Sequence, residues 1–186
     1  YPKAPEQQIT QISANINAIY RVALTSYKPH EISFIGDSAG GTLIMSLMQR
    51  LIENQIKLPQ KIILVSPVMD ASMSNPEIEK MEVKDPMLSK IGVLSAKKMC
   101  AGANELKNVM ISPIYSSFNN FPPTVLCLAE NDITYPDQKL TVAKLMAANI
   151  TLEIIEGKNM PHIWPLLPIM KEAKLALNEI IKILNR

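Results

Sequence analysis

The most constraining stretch of this 186-residue sequence is Gly36-Asp37-Ser38-Ala39-Gly40-Gly41. Before it runs a short apolar segment, Glu31 to Ile35, which predicts a buried strand stopped by Gly36. After it, Leu43, Ile44, Leu47, Met48, Leu51 and Ile52 recur at helical spacing, and Asn54 and Pro59 close the predicted helix. A chain that passes from strand to helix in so few residues must turn sharply, and tiny neighbours let that turn close around a strained serine. The pattern makes Ser38 a candidate nucleophile. It also sets the Ala39 backbone N–H at a helix N-terminus, where it can stabilise developing negative charge. The plainer alternative is a Gly-Ser turn in which Asp37 or Ser38 merely caps the helix. The strand before and the long helix after favour the nucleophile.

A nucleophilic serine needs a base, and the base needs an acid to fix its tautomer. The sequence has two histidines, His30 and His162. His30 precedes the strand that leads to Ser38, which puts it at the far end of the sheet in an exposed loop. His162, in Asn159-Met-Pro-His-Ile-Trp164, follows a strand candidate and lies at the edge where Ser38 emerges. A structural histidine packed beside Trp164 is its plainer alternative. For the acid, Asp132 directly follows another strand candidate, and strand ends on that edge of an open sheet converge on ligand chemistry. Asp137 and Glu130 compete with it, although Asp137 follows Pro136 and is expected to cap the next helix. The order Ser, Asp, His is that of a nucleophile-elbow hydrolase.

The remaining chain repeats the strand–helix rhythm. Ile9, Ile12, Ile16, Ile19, Tyr20 and Ala23 predict an amphipathic helix ended by Pro29. Lys61–Ser66, Pro123–Ala129 and Thr151–Glu156 predict buried strands, the last ended by Gly157. Gln138–Ala148 and Met170–Leu184 predict helices, the second with Ala173, Leu177, Ile180, Ile181 and Leu184 on one side. This alternation implies a three-layer αβα sandwich around a mostly parallel sheet. Residues 70–121 break the rhythm. Rich in Met and Pro, they are expected to lay short helices over the sheet's C-terminal edge. Met69, Met73, Met81 and Met87 are candidates to line a substrate pocket, though methionines in such a segment are more often ordinary packing.

Composition removes several classes. Apolar residues make up 47% and the formal net charge is +2, which fits a packed globular chain without a basic surface for nucleic acid. Cys100 and Cys127 lack metal-ligand spacing and read as buried free thiols. No apolar run approaches the roughly 18 residues of a membrane span. No signal peptide is visible, so a cytoplasmic location is expected.

These motifs together resemble the hormone-sensitive-lipase-like branch of the α/β-hydrolases, a family of serine carboxylesterases. Tyr1-Pro-Lys-Ala-Pro-Glu6 is similar to that family's Tyr-Arg-Leu-Ala-Pro-Glu segment, and Gly36–Gly41 matches its Gly-Asp-Ser-Ala-Gly-Gly. Ser66-Pro67, Asp85-Pro-Met-Leu88, Ser112-Pro113 and Pro122-Pro123 follow in the family's order. The resemblance implies an α/β-hydrolase fold with residues 1–186 as one catalytic domain, incomplete at its N-terminus, and residues 70–121 covering the active-site edge. It sets Asp132 on the family's catalytic aspartate and His162 on its catalytic histidine. No metal or organic cofactor is implied, and the expected partner is a small-molecule ester.

The family's His-Gly-Gly-Gly loop, a further source of oxyanion-binding amides, lies upstream of the Tyr-x-x-Ala-Pro-Glu segment and is not in this sequence. The chain is therefore expected to be the C-terminal part of a family member and weakly active alone. Losing one oxyanion donor costs roughly 3–4 kcal/mol in a barrier. The edge of the Ser38 strand is expected to lack a neighbour and to favour self-association. Hydrolysis of small carboxylic esters is the leading expectation. The alternatives are a peptidase of the prolyl-oligopeptidase type and a non-catalytic binding protein on the same scaffold.

Overall fold

The computed structural model describes residues 1–186. Four strands form its sheet: β1 (Ser33–Asp37), β2 (Lys61–Val65), β3 (Thr124–Asn131) and β4 (Leu152–Pro161). They pair in chain order and all parallel. Parallel neighbours require crossover connections. Helix α2 (Ala39–Glu53) joins β1 to β2, and α5 (Tyr135–Ala147) joins β3 to β4. The long β2–β3 connection carries α3 (Ile78–Glu82) and α4 (Lys90–Ala101), while α1 (Ile9–Ser26) opens the chain and α6 (Lys171–Leu184) closes it.

Alternation along β2 and β3 divides the core between two faces. Ile62, Leu64, Leu126 and Leu128 pack with Tyr20 of α1, Leu47 and Met48 of α2 and Leu145 of α5. Ile63, Val65, Val125 and Cys127 turn the other way, against Ile180 and Ile183 of α6. Each such side chain contributes roughly 1.5–3 kcal/mol on full burial. The result is the three-layer sandwich that the strand–helix rhythm implied. Helix α2 is more deeply enclosed than a single stripe predicts, because positions 41–49 are all buried.

Four expectations need correction. The Ser38 strand is neither as early nor as buried as its composition suggests: it spans Ser33–Asp37, with Gly36 and Asp37 registered against Leu64 and Val65. As the edge strand it is paired only by β2, and Ile35 remains 48% exposed. Ile19 of the α1 stripe is likewise exposed. Gly157 does not end β4, which runs on to Pro161. A Cβ there would lie 2.4 Å from the Trp164 ring, so this glycine admits the indole rather than stopping the strand. Asp137 does not cap α5 either. Thr134 holds the N-cap position, and Asp137 lies buried in the first turn.

Residues 70–121 do carry short helices. Met73 there and Met69 just before them are fully buried, whereas Met87 is exposed. Both cysteines are free, and burial pushes the Cys127 thiol up to about 12, leaving it a poor nucleophile. No helix is long and apolar enough to cross a membrane.

Candidate active site

The C-terminal ends of parallel strands share one edge, and Ser38, Asp132 and His162 follow β1, β3 and β4 respectively. Ser38 sits at φ 49° and ψ −116°, a conformation that costs of order 1–3 kcal/mol for a residue bearing a side chain. Its amide donates to the Val65 carbonyl, and its own carbonyl accepts from Thr42 and Val68. The turn is thus pinned to β2 and α2. Gly41 makes the close packing possible, since a Cβ there would meet Pro67 at 2.7 Å. Ser38 is the N-cap residue of α2, but its hydroxyl makes no capping hydrogen bond, which leaves that oxygen uncommitted. Ala39 begins α2, where the first amides have no intrahelical acceptor.

Asp132 and His162 are brought together. The Asp132 Oδ2 lies 2.7 Å from the His162 Nδ1, with the residues 0% and 3% exposed. The carboxylate is oriented by more than the imidazole. Its Oδ1 accepts from the Thr134 amide at 2.7 Å and the Thr134 hydroxyl at 2.8 Å, and its Oδ2 also accepts from Gln138 Nε2 at 2.8 Å. With the aspartate on Nδ1, the imidazole is left with Nε2 for other work. His162 therefore does not serve merely as packing for Trp164, whose indole N–H instead donates to the Leu128 carbonyl.

The competitors are occupied elsewhere. Glu130 accepts from the Asn159 amide at 2.7 Å, and His30 is exposed before β1. Asp137 Oδ1 accepts from Asn75 at 2.8 Å, whereas its Oδ2 is buried without a partner. Burial, with a smaller contribution from the Asp70 charge, pushes Asp137 up to about 6 despite the Asn75 bond.

Sequence reasoning missed two supports. Asp85, known only as part of a motif, binds three backbone amides: Met87 and Leu88 through Oδ1 and Ile133 through Oδ2. It thereby ties the β2–β3 connection to the turn that carries Asp132. Ser66, fully buried at φ 45°, accepts the Ile163 amide at 3.0 Å and so anchors the residue after His162. Ile163 is itself at φ 51°, an outlier for a β-branched side chain. Only the Pro after Ser66 hinted at an unusual backbone there.

A strained serine between strand and helix, a buried acid–histidine pair and a parallel sheet are features of the α/β-hydrolase fold. The chain belongs to the α/β-hydrolase fold family, whose model matches residues 1–166, and within it to the hormone-sensitive-lipase-like branch. It is similar to an esterase of Acinetobacter venetianus, 28% identical over 153 residues that make up 81% of this chain and 50% of that protein. Among solved structures, a Staphylococcus aureus protein described as a candidate esterase superposes with a TM-score of 0.93 at 31% identity, covering 98% of this chain and 62% of its own. An esterase of the bacterial hormone-sensitive-lipase family gives a TM-score of 0.91 at 25% identity, over 97% and 61% of the two chains. The chain spans about half the length of the curated relatives it matches.

Proposed function

We propose that the protein hydrolyses small carboxylic esters through an acyl-enzyme, with Ser38 as nucleophile, His162 as base and Asp132 as the acid that orients it. Residues 1–186 act as a catalytic domain and residues 70–121 as its cover. The single observation that carries this reading is the buried 2.7 Å contact between Asp132 and His162 on the strand edge that also presents Ser38. Similarity to proteins described as esterases supports it.

In the proposed cycle the Ser38 Oγ attacks the acyl carbon while His162 Nε2 accepts the hydroxyl proton. The Ala39 amide donates to the resulting oxyanion. Collapse expels the alcohol, which takes the proton from His162, and the acyl group remains on Ser38. A water then gives its proton to His162 and attacks the acyl carbon, releasing the acid and restoring the serine. Asp132 keeps the imidazole in the tautomer that both halves need and stabilises its cationic form.

Ser38→Ala should lower p-nitrophenyl ester turnover at least about a thousandfold while the protein keeps its fold. Residual turnover well above that level counts against the assignment. Covalent labelling of Ser38 by a fluorophosphonate separates an enzyme from a binding protein. A preference for peptide anilides over nitrophenyl acetate would instead favour a peptidase.

The outer edge of β1, with Ile35 half exposed, supports a further proposal: the 186-residue chain pairs with itself along that edge. Light scattering across a concentration series tests it, and a strictly monomeric particle overturns it.

A further inference from the structure

Beside Ala39 lies a cavity of about 210 Å³, with apolar walls from Ile9 and Ile12 of α1, Leu43 of α2 and Ile111. One of its lining residues is Lys97, only 8% exposed. Lysine is almost never this buried unless it is paired, and here Val93, Lys97 and Ala101 form the enclosed face of α4. Yet its pairing is poor. Its only hydrogen bond is to the Thr42 hydroxyl, at a long 3.5 Å, and that hydroxyl already donates to the Val68 carbonyl. Lys97 takes part in none of the ion pairs. Asp70 contributes a distant attraction, but its carboxylate is taken by Ser72, Ser74 and Tyr115. An ammonium has three N–H donors. Most of this one's capacity is unspent in a cavity that reaches the residue next to the nucleophile.

Burial draws Lys97 down to about 8, with attraction to Asp70 acting against that fall, so the side chain stays largely cationic at neutral pH. A buried cation without partners is costly. A ligand that brought an anion past the apolar walls would remove that cost.

We propose that Lys97 is a specificity residue that binds a carboxylate on the ester substrate, so that the site prefers esters carrying a short apolar spacer ending in an anion. This rests on the ester-hydrolase reading above and adds the substrate class. Two arms separate the sources of the carboxylate. In the first it sits on the acyl side, as p-nitrophenyl glutarate monoester against p-nitrophenyl butyrate. In the second it sits on the alcohol side, as 4-acetoxybenzoate against phenyl acetate. The readout in each is the ratio of kcat/KM for the anionic ester to that for its neutral partner, in wild type, Lys97→Met and Lys97→Arg. The ratio should fall at least tenfold in Lys97→Met, mainly through KM, and recover in part in Lys97→Arg. A fall in one arm alone names the side that carries the carboxylate. Ratios unmoved in both arms overturn the proposal while leaving the ester-hydrolase reading intact. Should no neutral ester be turned over, that reading fails on its own. The proposal is then judged by whether glutarate slows acylation of the Lys97 amine, read by mass spectrometry of its peptide. No protection overturns it.

Discussion

The acid turn, Asp132–Thr134, and the first turn of α5 just beyond it each bury an aspartate, and the two are treated very differently. Asp132 has donors on both oxygens, from Thr134, Gln138 and His162. Asp137 has one donor, Asn75, and an oxygen with none. A buried carboxylate is tolerable when its acceptor positions are filled and costly when they are not. The first arrangement fixes a direction in space, as a group that must orient an imidazole requires. The second fixes little and burdens the fold. Nearness to the site and burial do not distinguish the two residues. The supply of donors does.

The contrast is sharpest in catalysis. Asp132→Asn keeps the shape but puts an amide where His162 needs an acceptor, so kcat for a nitrophenyl ester should fall by about 10³–10⁴-fold. Asp137→Asn should leave kcat within about threefold, since Asp137 touches neither His162 nor Ser38. An Asp137 variant more crippled than the Asp132 variant would break the comparison.

Stability should move the other way. The folded-state value of Asp137, about 6, lies above its ordinary 3.8. Its neutral form therefore favours the fold, fully below pH 3.8, and that contribution is lost as pH rises through about 6. At pH 7 the ionised carboxylate works against folding, and Asp137→Asn, which can still accept from Asn75, should stabilise the protein by on the order of 1–3 kcal/mol. Urea melts of both forms at pH 4 and pH 7 check this. The difference between them should shrink or reverse at the lower pH, and a variant less stable at pH 7 would contradict it.

Much of this architecture was legible in the chain because it follows from periodicity. Lys61–Val65 is apolar at every position but its first, and it is a strand buried throughout. The elbow was legible because strand, serine and helix stand in line. What escaped were features set by distant parts of the chain. Nothing near Glu31–Ile35 says that Ile35 stays half exposed. Gly157 has the look of a terminator until Trp164 is folded against it. Asp137 follows a proline as a cap would, and only the third dimension encloses it. Lys97 left a trace that went unused: it falls in phase with Val93 and Ala101, the position at which an apolar residue is expected. Its neighbour Lys98 is exposed, as a lysine out of that phase should be.

Asp85 gathers three amides, two from its own turn and one from Ile133. Lifting that turn away from the sheet would strand the Ile133 amide, at a cost of about 1–3 kcal/mol if it stayed buried. It would also loosen the neighbouring Asp132, the partner of His162. The knot therefore couples the β2–β3 connection to the acid turn, so that a movement of one at this corner disturbs the other.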